Sequence, residues 1–473
     1  MPRDNKPSLS SCCDHLSLGL DPSTHASEAG YARPTARQRA AAASRKAGRA
    51  TARSKKSYGS QGVSSRSFPG PLILPGDDLA LEPDETPQSF QEWLDGEHRN
   101  EVTPARKTVY VAAAPDIDDD VKFIRSWSSL QTRKRGAGGV KVPESTVEPP
   151  HLDNIVGYLK AFYHGLPVKV LPSKLCFTSW DSATPSSRTK SRPAAATTAP
   201  RHIGLNTGTE CVRIRTRVAA DKVFPRQLNL DDLLDAAISM LPDDAYALVM
   251  LVDYDLYEDD DDIFVCGRAY GGSRVAVVST ARYHPALDRE QDVERQHAWP
   301  ASHCEVYMKA CCVDVSKAVT QRGGKKRARD ADSTSSADHA VIHPLRAAVS
   351  AHEALPSFVT TSTSSLSMAT LSGLWLGRVC RTASHELGHC FGIGHCPYYA
   401  CTMQGSASLA EDARQPPYLC PIDLVKVLHA TGTTAEQHYL SLLSFCDKHD
   451  EVHLFSALGA WIRARIEEME QSA

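Results

Sequence analysis

No apolar run in this sequence approaches the ~18–20 residues that a membrane-spanning helix needs. The longest, Ala245 to Val252, has the length of a buried strand. An uninterrupted apolar core is also missing near the amino terminus: Asp4, Cys12, Cys13 and Asp14 break up Met1 to Asp21, so no signal peptide is expected there. Net charge is small. Fifty-three Lys and Arg stand against 56 Asp and Glu, leaving −3, which removes any global case for a nucleic-acid binder. No internal repeat is present. The acidic run Glu258 to Asp262 lacks the spaced oxygen ligands and glycine of a calcium loop and reads as a solvated turn.

What is present divides unevenly along 473 residues, of which 41% are apolar, enough for a sizeable core. Residues 1–68 are rich in Ser, Ala, Arg and Gly and read as a disordered tail, with nine Lys or Arg and no acid between Arg33 and Lys56. Residues 69–103 read as an extended lead-in, 104–446 as the main folded domain, and 447–473 as an amphipathic carboxy-terminal helix. Polar inserts are expected near 181–200 and 316–340, the second carrying Lys325-Lys326-Arg327-Ala328-Arg329. Fourteen cysteines without a secretory signal point to thiols or metal ligands, hence to the reducing cytosol or nucleus rather than secretion.

Periodicity gives an α/β (α+β) order. Strands are expected at 108–111, 168–171, 210–218, 245–252, 263–265 and 275–279, with a glycine turn at Gly271-Gly272. Leu152 to Tyr163 has helical spacing, and Asn229 caps a helix that Pro242 ends. Thr433 and Glu436 form a capping box for a helix to about Phe445. Alternation of strands and helices, then strands in succession, implies a mixed sheet.

The chemistry concentrates in His385-Glu386-Leu387-Gly388-His389 and continues to Gly392 and His395. Histidines four apart project from one helix face, so two imidazoles can meet one zinc at ~2.0–2.1 Å. Glycine at 392 tolerates the abrupt exit that returns His395 as a third ligand. Three imidazoles leave a fourth position open, the arrangement of a catalytic site. Glu386 stands beside the first ligand and can serve as general base without binding metal. Met403, close to this segment, reads from its own chemistry as a core methionine.

From His385 onward, Cys396, Cys401, Met403-Gln404-Gly405-Ser406 and Cys420-Pro421-Ile422-Asp423 resemble the archaemetzincins, zinc metallopeptidases of the metzincin clan. Blocks at Arg106 to Val111, Tyr158 to Leu171, Asp255-Leu256-Tyr257, Phe264 to Ala269 and Ser279 to Tyr283 extend the resemblance over about 100–315 and 340–446. It implies a metzincin-like domain with a mixed, twisted sheet, an active-site helix and a smaller carboxy-terminal helical part. It also implies a methionine turn at Met403 beneath the catalytic zinc, and a second, structural zinc held by four cysteines. Those positions are Cys396, Cys401, Cys420 and 423, and the last departs from the pattern because it is Asp423. A hard carboxylate in place of a soft thiolate would weaken the site. The strand 275–279 resembles the edge that metzincins present to an extended peptide. The resemblance implies a zinc-dependent peptidase acting on peptides or proteins through a zinc-activated water, with a leaning toward amino termini. A different reading stays open: a non-hydrolytic, zinc-stabilised scaffold whose basic segments engage nucleic acid or protein. No membrane partner is expected.

Overall fold

A computed structural model describes residues 13–44, 64–97, 99–131, 147–180, 200–313, 343–355 and 367–472. The central sheet comprises β1 (Thr108–Ala112), β2 (Val168–Val170), β3 (Ala245–Val252), β4 (Gly267–Tyr270) and β5 (Val275–Ser279), in the order β4-β5-β3-β1-β2. β1 pairs in parallel with β2 and β3, and β3 with β5; β4 alone runs antiparallel, against β5. Every residue of β3 is buried, as expected for a central strand covered on both faces. One face carries α1 (Leu152–Phe162) and α4 (Met368–Cys390). The other carries α2 (Leu230–Ser239) and a second sheet of six short strands between Asp116 and Tyr257. The sequence reading did not separate that second sheet. The remaining principal helices are α3 (Pro344–Ala354), α5 (Pro421–Thr431), α6 (Ala435–Cys446) and α7 (His453–Gln471).

α4 holds the site. Its first turn is capped by Ser367 Oγ, which accepts from Thr370 N at 3.0 Å. Leu371, Leu376, Val379, Ala383 and Leu387 are buried against the core, each large side chain contributing about 1.5–3 kcal/mol. Packing, rather than propensity, therefore stabilises a helix that contains three glycines, Gly373, Gly377 and Gly388. The Tyr163 hydroxyl donates to Ser384 O at 2.6 Å and its ring stacks on Phe391, fixing α4 to α1.

Several expectations are corrected. The strand at 275–279 is internal, with all five residues buried, and the sheet edge beside α4 is β4. Residues 263–265 make no strand: Val265 forms only a bridge to Leu256, and Ile263 O is taken by the Gln227 side chain instead of a ladder partner. The capping box lies one residue later, at Thr434 and Gln437. Gly432, at φ +68°, and Thr433, whose N–H bonds Leu428 O, still belong to the end of α5, so Thr434 is the first residue free to cap α6.

The tail expectation fails for 13–44 and 64–68. Helices form at Thr24–Glu28 and Ala36–Ala42, the Tyr31 hydroxyl donates to Pro397 O at 2.5 Å, and Phe68 is buried against Trp461. Arg33 and Arg39 lie over the Tyr399 ring. A few aromatic anchors, invisible in an average composition, order this segment. Residues 69–97 and 99–103 are likewise docked, with Trp93 Nε1 donating to Phe391 O at 2.8 Å. The rest of the expected tail, residues 181–199 of the first insert and the whole of the second with its Lys325–Arg329 run lie outside the described residues. α7 packs on α3, α4 and α6, with Trp461 stacked on Tyr418. No helix among the described residues is long and apolar enough to cross a membrane.

Candidate functional site

α4 ends in a pair of reversed hydrogen bonds: Gly392 N to His389 O at 2.9 Å and Ile393 N to Gly388 O at 3.2 Å. Gly392 takes φ +76°, so the chain turns back at once and brings His395 over the helix end. His385, His389 and His395 then place one nitrogen each within 4.8 Å of the others. His385 Nδ1 donates to Thr402 O at 2.6 Å and His389 Nδ1 to Ile393 O at 2.8 Å. With both Nδ1 atoms protonated, the two Nε2 atoms, 3.0 Å apart, face each other as lone pairs. Burial and the neighbouring imidazoles hold His385 well below the usual range and His389 at about 4, so both are neutral donors. Converging neutral imidazoles suit a zinc ion.

Glu386 is buried on the adjoining face and lines the same cleft, of about 770 Å³. Burial pushes its carboxyl up to about 8, with Arg268 opposing and Asp412 adding to the rise. Met403 is fully buried beneath the helix; a Cβ at Gly388 would fall 2.4 Å from its Sδ. Its carbonyl accepts from Cys396 N at 2.8 Å, tying the methionine turn to the second cluster.

That cluster is buried throughout. Cys396 Sγ lies 3.6 Å from Cys420 Sγ, and Asp423 Oδ2 lies 3.5 Å from Cys401 Sγ and 3.3 Å from Cys420 Sγ. Asp423 thus occupies the position the resemblance reserves for a fourth cysteine. Burial and Cys396 push its carboxyl up to about 6, against the pull of Lys426. His429, Cys390 and Cys446 are not among the four residues gathered there.

The profile described as Peptidase family M54 matches residues 365–427. Archaemetzincin-2 of Macaca fascicularis is 24% identical over 380 residues, covering 80% of this chain and 74% of that protein. The Homo sapiens protein of the same name is 25% identical over the same span and shares. Over most of its length the chain is similar to the archaemetzincins, and the stretch matched by the M54 profile contains the three histidines and Glu386.

The matches make it a zinc metallopeptidase, and a peptidase takes peptides or proteins as substrates. Among solved structures, an archaemetzincin from Methanopyrus kandleri is 18% identical, covering 68% of this chain and 95% of that one, with a TM-score of 0.29. In the cleft stand residues that sequence reasoning missed. Asp78, from the docked lead-in, comes within 4.8 Å of His395 and Glu85. Burial raises its carboxyl, with His395 opposing. Arg268 on β4 faces Glu386 and pairs with Glu258 at 2.7 Å. Arg268 lies within the resembling block 264–269 and could have been singled out there; nothing local marks Asp78.

Gln88 is a third omission. Its Nε2 donates to Gly392 O at 3.0 Å, and its Oε1 accepts from Gly394 N at 3.2 Å and from Lys426 Nζ at 2.9 Å. One side chain thereby braces the turn that carries His395 and links it to the residue holding Asp423.

Proposed function

We propose that His385, His389 and His395 hold the catalytic zinc and that Glu386 is the general base for peptide-bond hydrolysis. When bound, zinc supplies Lewis acidity toward the scissile carbonyl and lowers the pKa of a water toward ~7. Glu386 takes the proton of the attacking water and delivers it to the leaving amine. The observation that carries this reading is the convergence of three imidazoles beside a buried carboxylate that opens on one cleft.

Substrate lies extended along β4, whose outer side offers unpaired backbone groups next to α4. The carboxylate of Asp78, beside His395, offers a counter-charge to a substrate α-ammonium, in keeping with a preference for amino termini. Cys396, Cys401, Cys420 and Asp423 hold a second, structural zinc, and Met403 is the apolar base under the catalytic site. Three thiolate ligands are best preserved in the cytosol or nucleus.

The test is cleavage of a peptide library by zinc-loaded protein, analysed by mass spectrometry beside Glu386→Ala. Cleavage by the wild type alone, reduced on amino-terminally acetylated peptides, is the expected result. Equal cleavage by both proteins would reject the base assignment. Insensitivity to acetylation would reject the amino-terminal preference.

A further inference from the structure

A further group of side chains able to bind a metal lies apart from the cleft and shares no residue with either cluster described above. Cys13, His15 and His297 place one ligand atom each within 4.8 Å of the others. The first two sit on the amino-terminal segment, which lies along residues 303–305: Gly19 N donates to His303 O at 2.8 Å and Glu305 N to Ser17 O at 2.9 Å.

Both imidazoles are oriented. His297 is fully buried, its ring stacked on Tyr307 with centroids 4.0 Å apart, and its Nδ1 lies 2.9 Å from Glu294 Oε2. His15 Nδ1 lies 3.1 Å from Glu353 Oε1. A carboxylate only accepts, so each Nδ1 carries the proton and each Nε2 presents a lone pair. Both Nε2 atoms are buried and have no hydrogen-bond partner among the described residues. Two buried, unpartnered lone pairs are costly unless something receives them. A thiol near both completes a sulfur and two nitrogens, the soft and borderline donors that zinc takes in tetrahedral sites.

We infer that Cys13, His15 and His297 form a further zinc site that fastens the amino-terminal segment to the catalytic domain. The Cys13 thiol gives up its proton to solvent on binding, the two imidazoles bind through Nε2, and water completes the coordination. Because the ligands come from segments that part on unfolding, occupancy stabilises the docked form.

The experiment compares zinc per chain in the full-length protein with that in Cys13→Ser/His15→Gln, both purified without chelator, by elemental mass spectrometry. The expected result is about one zinc fewer per chain in the variant, with peptidase activity retained. Equal zinc content would overturn the inference. A measurement on the wild type alone guards against a misfolded variant: alkylation of Cys13, read by peptide mapping, should accelerate at least about tenfold when zinc is chelated. An unchanged rate would also overturn it. Failure of the zinc-loaded wild type to cleave any peptide, with the chelator-sensitive protection of Cys13 intact, would count against the catalytic assignment and leave this site standing.

Discussion

Lys426 Nζ lies 2.9 Å from Asp423 Oδ1, and both side chains are buried. The same ammonium reaches Gln88 O and Oε1, each at 2.9 Å, across 338 residues of sequence. Asp423 therefore turns one oxygen to the cysteines and the other to a fixed positive charge. That pairing answers the departure from four cysteines: the ammonium opposes the rise in the carboxyl's pKa and holds the group in place.

Lys426→Met would leave Asp423 as an unpaired buried anion and loosen Gln88. Zinc affinity of the cysteine cluster should fall about 10–100-fold, as for other outer partners of metal ligands. Competition with a chromophoric chelator measures it. Peptidase activity should fall as well, because Gln88 braces the Gly392–Gly394 turn. Unchanged affinity would show that the ammonium does not support the site.

Gly388→Ala would drive a methyl group into Met403, whose Sδ and Cε would lie 2.4 and 2.8 Å away. Relief needs a shift of the methionine turn or of α4, at about 1–3 kcal/mol. Urea denaturation should show that loss, and Gly388→Ala/Met403→Ala should lose less than the sum of its single changes.

Arg282 is buried between two carboxylates, with Nη2 2.5 Å from Asp255 Oδ2 and Nη1 2.6 Å from Asp221 Oδ2. Arg282→Met would strand Asp255, whose side chain is also fully buried. A cost of about 3–5 kcal/mol is expected, read from equilibrium unfolding. Little change would mean that water reaches Asp255.

Acid should destabilise the fold through histidines buried neutral. Burial lowers His303 and His438 to about 4, with the Gly70 carbonyl opposing at His303. In the unfolded chain each titrates near ~6.5. Below that pH the unfolded state takes up more protons, so stability is complete above ~6.5 and declines as pH falls toward about 4. Each group contributes on the order of 3 kcal/mol to that decline. Denaturation midpoints across this window measure it, and His438→Gln should flatten the slope.

The sequence alone determined the parts of the site that are close along the chain. His385, His389, Gly392 and His395 are set by helix pitch and one tight turn, so residue spacing already specifies their geometry. The buried strand β3 and the cap at Asn229 are local in the same sense, since apolar runs and capping side chains act over a few residues. The tertiary structure decided what long-range packing brings together: β4 rather than β5 at the sheet edge, Asp78 and Gln88 over the turn that carries His395, Lys426 behind Asp423, and His297 beside Cys13 and His15. Each of these depends on strand order or on where a docked segment lands. Both are set by the total burial of apolar surface and the pairing of buried polar groups, which spacing along one segment does not encode.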